Sequence, residues 1–334
     1  MRPHPTIYGP ALHRHVRRYK EELLRQLFGK PRQRMLRQSR RWPSIAAWNT
    51  IDSNIVGIGY GIKQVKGSHT GTLALCTYVR KKLPLHKLRK ADRIPSYVNG
   101  LPTDVVKVGR FKIATQGGYP CLNPGTNPGT IGGLVAGTDP NNRYILSCLH
   151  VLAADPFAPK CPTDNMAGET IDAPPGGPGI AELWHAIKIL QNGNTMDCAV
   201  ARVFNPDNFD PVIKDIGRQV TTTMPAYLPP SQDGPYQEVI KSGAMSGVTH
   251  GLVIKLDEDH SIPYGSSNAG FVKQIGICGI GGQPFAEQGD SGSLVLDAAT
   301  KQPIALVFAV DAISGITLAN PIQDVLDSLG VHFV

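Results

Sequence analysis

A chain of 334 residues, 41% hydrophobic and 18% charged, is long enough for about two domains at roughly 150 residues each, which excludes a small scaffold stapled by disulfides. Its 36 glycines and 28 prolines mark a turn-rich globular protein, and its longest apolar run, Ile304 to Val310, falls far short of the roughly 18 residues of a membrane span. The net charge of +8 is local: residues 1–43 hold 12 Lys or Arg against only Glu21 and Glu22, so the remainder is slightly acidic and the total is no signature of nucleic-acid binding.

In this basic tail (1–50), Leu12, Val16, Tyr19, Leu23 and Leu27 recur three or four residues apart, which predicts one amphipathic helix. Gly29 and Pro31 stop it, and Lys30 to Arg41 reads as a solvated basic stretch. The helix can dock on its own protein or on a sister copy, the latter making a homo-oligomer. Contact with nucleic acid or an acidic surface, targeting, and a removable propeptide are the other readings. No apolar segment precedes the Arg-rich stretch, so no secretory signal is expected.

From Asn54 short β-branched runs bounded by glycine predict strands at Ile55 to Val65, Leu73 to Val79 and Asp104 to Val108. A short helix at Leu83 to Asp92 and a turn at Asn99-Gly100 complete a small α+β unit over 51–112. From Gly117 onward apolar runs alternate with turns such as Asn123-Pro124-Gly125 and Pro175-Gly176-Gly177, the pattern of an antiparallel sandwich or barrel. Pro321 to Leu329 carries Ile322, Val325, Leu326 and Leu329 at helical spacing and predicts a closing helix.

The most informative stretch is Gly289-Asp290-Ser291-Gly292-Ser293. Glycines flanking a serine allow a tight turn whose N–H groups face one place, as an oxyanion site requires; a plain Gly-Ser hairpin turn is the alternative for the motif alone. His150 follows the apolar strand Tyr144-Ile145-Leu146-Ser147, and Asp197 precedes the strand-like Cys198-Ala199-Val200-Ala201. Each is weak alone, since a histidine at a strand end is more often structural and an aspartate there is often a turn residue. Order and spacing strengthen them: His150 to Asp197 is 47 residues and Asp197 to Ser291 is 94, against about 45 and 93 in the His, Asp, Ser triad of chymotrypsin. Asp155, Asp164 and Asp172 follow His150 too closely, and Asp207, Asp210 and Asp215 lack the small apolar strand.

On these residues the chain resembles the chymotrypsin-like serine peptidases over roughly 117 to 334. It is similar in particular to the bacterial and plant intracellular members that carry an N-terminal extension, through Asn54 to Gly61, Tyr78 to Pro84, Pro102 to Val106 and Lys241 to Gly251. The resemblance implies a mainly β fold: two antiparallel six-stranded β-barrels, at 113–205 with His150 and Asp197 and at 206–334 with Ser291, preceded by the α+β unit and the helical tail. It implies a serine endopeptidase acting on protein or peptide substrates, with Gly289 and Ser291 N–H groups as the oxyanion hole and no cofactor. A protease-fold scaffold or binding protein that turns over little is the alternative.

Secreted relatives carry cysteines where this chain has Val151 and Glu287, so two disulfides are missing. Six scattered cysteines with no CxxC pair read as reduced thiols of a cytoplasmic protein and not as a metal site. Ile55-Val56-Gly57 looks like an activation N-terminus but lies 95 residues before His150, too far, which leaves Asp290 in need of another buried partner. The implied primary pocket has Phe285 as floor with Ala286 beside it, Phe308, Ala309 and Val310 as wall, and Gly315 on the returning strand, which favours a small to medium apolar residue before the cut. Asp311, next to that wall, would reverse the preference if it turned inward.

Overall fold

Helix α1 (Pro10–Phe28) begins the computed structural model, which describes residues 10–28, 54–65, 68–88, 93–109, 112–113, 119–163, 166–229, 235–265 and 267–334. The basic stretch Lys30 to Arg41 lies outside them. Val16, Leu23 and Leu24 of α1 are buried in one cluster with Ile58, Tyr60, Leu73 and Leu75, so the apolar face docks on the chain's own strands. The polar side of that dock is ionic: Lys20 Nζ sits 2.7 Å from Asp259 and Arg17 Nε 2.9 Å from Asp257.

The strands β1 (Ile55–Val65), β2 (Ser68–Val79), β3 (Tyr97–Val98) and β4 (Leu101–Lys107) follow. β1 and β2 are antiparallel, β2 and β4 parallel, and β3 and β4 form a hairpin. Asn99 and Gly100 join that hairpin, both at positive φ (49° and 84°), the mirror-image turn that Asn-Gly favours. The predicted helix at Leu83 to Asp92 is a single 3-10 turn, Leu85–Lys87, with no buried residue; residues 89–92 lie outside the described ones. Leu83 and Leu85 are exposed, and without a packed face one turn does not repay helix nucleation.

After β5 (Lys112–Ile113) and the short pair β6 (Pro120–Cys121) and β7 (Gly129–Thr130) comes a six-stranded sheet. It contains β8 (Gly133–Ala136), β9 (Tyr144–Ser147), β10 (Thr170–Asp172), β11 (Gly179–Ala186) and β12 (Ala199–Val203). Helix α2 (Leu149–Leu152) leaves β9. A two-stranded piece, β13 (Val212–Ile213) with β14 (Gly217–Arg218), leads to β15 (Glu238–Gly243), β16 (Gly247–Tyr264), β17 (Ser267–Gly279), β18 (Leu294–Asp297), β19 (Pro303–Val310) and β20 (Ile316–Pro321). Helix α3 (Ile322–Leu329) buries the four residues its spacing predicts, and β21 (His332–Phe333) then returns to β8 as the sixth strand of the first sheet.

β15 pairs with both β16 and β18, so β16, β15, β18, β19, β20 and β17 make an unbroken circuit of hydrogen-bonded neighbours. β1 joins β16 outside that circuit, Gly57 opposite His260 and Gly61 opposite Lys255, which makes the strands of 51–112 part of the same eleven-stranded sheet. Sequence explains the joint. A Cβ at Gly57, Gly59 or Gly61 would lie within 2.4 Å of His260, Glu258 or Lys255 atoms, so alternate glycines leave a bare face for three large buried side chains.

Candidate active site

His150 stands in α2, a four-residue turn whose residues are all buried; Asp197 lies just before β12, fully buried. β9 and β12 pair through Ser147 and Ala199, which brings the ends of the two strands together. His150 Nδ1 contacts Asp197 Oδ2. Tyr264 donates its hydroxyl to the same oxygen at 2.5 Å, while Oδ1 accepts the backbone N–H groups of Leu149 (2.7 Å) and His150 (3.2 Å). Asn320 brackets the Asp197 backbone, accepting its N–H at 3.2 Å and donating to its carbonyl at 3.2 Å. Burial pushes the Asp197 carboxyl up, but His150, Tyr264 and the backbone donor outweigh it and hold it below the usual carboxylate value.

Ser291 is fully buried on the turn between β17 and β18. Thr130 N–H donates to its carbonyl at 2.7 Å, tying the turn to β7. Gly292 has φ of 91°, and a Cβ there would fall 2.2 Å from both Ser147 Oγ and the Thr130 carbonyl, so the residue after the serine must be glycine. The Ser291 hydroxyl donates to the Phe308 carbonyl at 3.1 Å, not to His150. Neither Gly289 N–H nor Ser291 N–H has an acceptor among the described residues.

The buried partner that Asp290 requires is Lys241, 2.8 Å away and as fully buried as the carboxylate. Asp290 also accepts the N–H groups of Glu287 (3.0 Å), Met245 (3.1 Å) and Ser246 (3.3 Å) and the Ser246 hydroxyl. Burial raises this carboxyl, and Lys241 with those donors pulls it below its ordinary value; Lys241 in turn is lowered by burial. A Cβ at Gly243 would meet Asp290 Oδ1 at 2.2 Å, so the chain passes close to the carboxylate. Sequence reading missed Lys241, Tyr264 and Asn320; a lysine inside the apolar run Val239-Ile240-Lys241 was the available signal for the first.

Of the residues read as a specificity pocket, Phe285, Ala286, Phe308, Ala309 and Val310 are buried. Phe285, Ala286 and Val310 belong to one buried cluster, Phe308 and Ala309 to another, and Gly315 lies in the turn before β20 with open space around it. A cavity of about 710 Å³ opens near Ile131, Ile145 and Phe204. β5 pairs with β19 at Ala309 and Val310. Asp311 is committed locally: its carboxylate accepts the N–H groups of Gly109 (3.0 Å), Ile313 (3.3 Å) and Ser314 (3.1 Å).

Cys148, His150 and Asp197 place three ligand-capable atoms within 4.8 Å of one another. Their chemistry does not suit a metal ion: burial raises the Cys148 thiol well above its ordinary value, its sulfur donates to the Val307 carbonyl, and both Asp197 oxygens already accept donors. All six cysteines are free thiols. No helix among the described residues is long and apolar enough to cross a membrane.

No family profile matches the chain, and no curated protein matches it. Solved structures similar to it include chymotrypsin-like serine proteases. A glutamic acid specific serine protease is 16% identical over 66% of this chain and 100% of its own, with a TM-score of 0.46. Thermobifida fusca protease A is 19% identical over 66% and 98%, with a TM-score of 0.45. Cellulomonas bogoriensis chymotrypsin is 17% identical over 66% and 98%, with a TM-score of 0.41.

Proposed function

We propose that this mainly β protein is a serine endopeptidase in which Ser291 is the nucleophile, His150 the base and Asp197 its orienting group, held between two barrels of which the circuit from β15 to β20 is the second. The observation that carries the reading is the buried contact of His150 Nδ1 with Asp197, across 47 residues of sequence. That contact fixes the imidazole with Nδ1 as donor, which leaves Nε2 as the atom that takes a proton.

Turnover starts with rotation of the Ser291 hydroxyl away from the Phe308 carbonyl toward His150, a change of one side-chain torsion. Ser291 Oγ then attacks the scissile carbonyl carbon while Nε2 accepts the hydroxyl proton. The Gly289 and Ser291 N–H groups are the candidate donors to the resulting oxyanion, each worth on the order of 3 kcal/mol. Collapse breaks the C–N bond, the imidazolium hands its proton to the leaving amine, and water then releases the acyl group by the same route. The Lys241 and Asp290 pair holds the turn within a single intact chain. The substrate is proposed to be a protein or peptide with a small to medium apolar residue before the cut.

The alternative, a binding protein of this fold with little turnover, is favoured by one observation: the Ser291 hydroxyl donates to Phe308. A fluorophosphonate probe separates the two. Covalent labelling of the wild-type chain that is lost in Ser291→Ala supports the peptidase; a folded wild-type chain that stays unlabelled at pH 8 overturns it.

A further inference from the structure

Asp197 Oδ2 receives two donors, His150 Nδ1 and the Tyr264 hydroxyl. Tyr264 is itself buried and held on three sides by rings. It stacks on Phe271 (5.8 Å between centroids, 21°), meets Phe157 edge-on (6.1 Å, 74°) and stands nearly perpendicular to the His150 imidazole (6.1 Å, 83°). With the ring so fixed, its hydroxyl position is set by the backbone at the end of β16, where Tyr264 pairs with Ser267. Four residues earlier on that strand His260 pairs with Gly57 of β1.

We infer that Tyr264 is a positioning residue for the proposed base, acting through Asp197: its hydroxyl fixes the carboxylate's rotation and withdraws negative charge from the oxygen that His150 contacts. The inference rests on the peptidase reading. A carboxylate that donates less charge to the imidazole leaves His150 a weaker base, and one locked by a buried phenol keeps Nδ1 aimed. Among the described residues, the Cys148 and Cys198 thiols also face this pair; burial raises both well above their ordinary value, so neither competes for the carboxylate's charge across neutral pH. Tyr264, likewise raised by burial and by Asp197, remains a protonated donor throughout.

The test compares the full-length wild type with Tyr264→Phe, which keeps the ring packing, and with 3-fluorotyrosine at 264, which keeps fold and hydroxyl and makes it a stronger donor. The rate of fluorophosphonate labelling is measured from pH 5 to 9, alongside the downfield NMR resonance and titration of His150. Tyr264→Phe is expected to label about tenfold more slowly and to move both the acid limb and the His150 titration to higher pH. Fluorotyrosine is expected to move both to lower pH. Unchanged rates and titrations in both folded variants overturn the inference. If Tyr264→Phe fails to fold, the direction of the fluorotyrosine shift decides. If the wild type itself does not label, the peptidase reading has failed, and the NMR titration still reports whether Tyr264 tunes His150.

Discussion

Two fully buried aspartates, one in the candidate site and one under α1, have been pushed in opposite directions. Asp197 accepts donors on both oxygens and is held low. Asp259 accepts Lys20 and the Lys273 N–H on Oδ1, but its Oδ2 has no partner among the described residues, and burial drives it up to about 7 against the pull of Lys20. One close cation therefore does less for this buried carboxylate than a complete set of donors does for Asp197, because one oxygen is left to carry the cost of leaving water and the neighbouring Asp257 charge adds to it. The site keeps a permanent anion beside its imidazole, and the dock keeps a group that titrates near neutrality.

The sharpest test of that contrast removes the anion at the site. Asp197→Asn keeps the shape but no longer holds Nδ1 as the donor, and labelling of Ser291 is expected to slow by about 10³ to 10⁴, with the melting temperature as the control for folding. Next in size, Lys241→Met strands Asp290 as a buried unpaired charge, and a loss of about 3 to 5 kcal/mol is expected in denaturant unfolding, with labelling falling alongside it. A smaller loss would mean that the four other donors suffice, which would extend the rule drawn from Asp197.

At the dock the effect depends on pH. The folded value of Asp259, about 7, lies above its unfolded value of about 3.9, so the folded state binds the proton more tightly. The stability this group contributes is full below about pH 4 and is lost as pH rises toward 7. Relative to Asp259→Asn, the wild type is expected to lose on the order of 2 kcal/mol between pH 5 and 8, read from paired unfolding curves; a constant difference would mean that Lys20 controls the carboxylate after all. The smallest effect belongs to Arg17→Ala, since that side chain is 45% exposed. Its loss is expected to cost below about 1 kcal/mol, and a larger loss would place the dock's strength in its rim.

What sequence could reach divides along the range of the interaction. β1 occupies Ile55–Val65 as its glycine-bounded run predicts, α1 and α3 follow their apolar spacing, and Asn99-Gly100 makes its turn, because each is decided by neighbours in the chain. His150 and Asp197 were reachable only through spacing against a known template. Lys241 with Asp290 and Tyr264 with Asp197 were not reachable, since they join residues 49 and 67 apart with no local pattern announcing either. The joining of β1 to β16 was hidden likewise: alternate glycines at 57, 59 and 61 read as strand punctuation, while their role is to make room for Lys255, Glu258 and His260.

The return of β21 to β8 has a consequence in time. Phe333 pairs with Val135, and Gln219 bridges the Leu134 and Val334 carbonyls. The sheet that carries His150 therefore lacks an edge until residues 332–333 have left the ribosome, roughly 10 to 40 s after β8 at typical synthesis rates. Ser291 is synthesised within that interval. The sheet beneath His150 and Asp197 is thus expected to be completed only after Ser291 has been made, which places assembly of the proposed site late in synthesis.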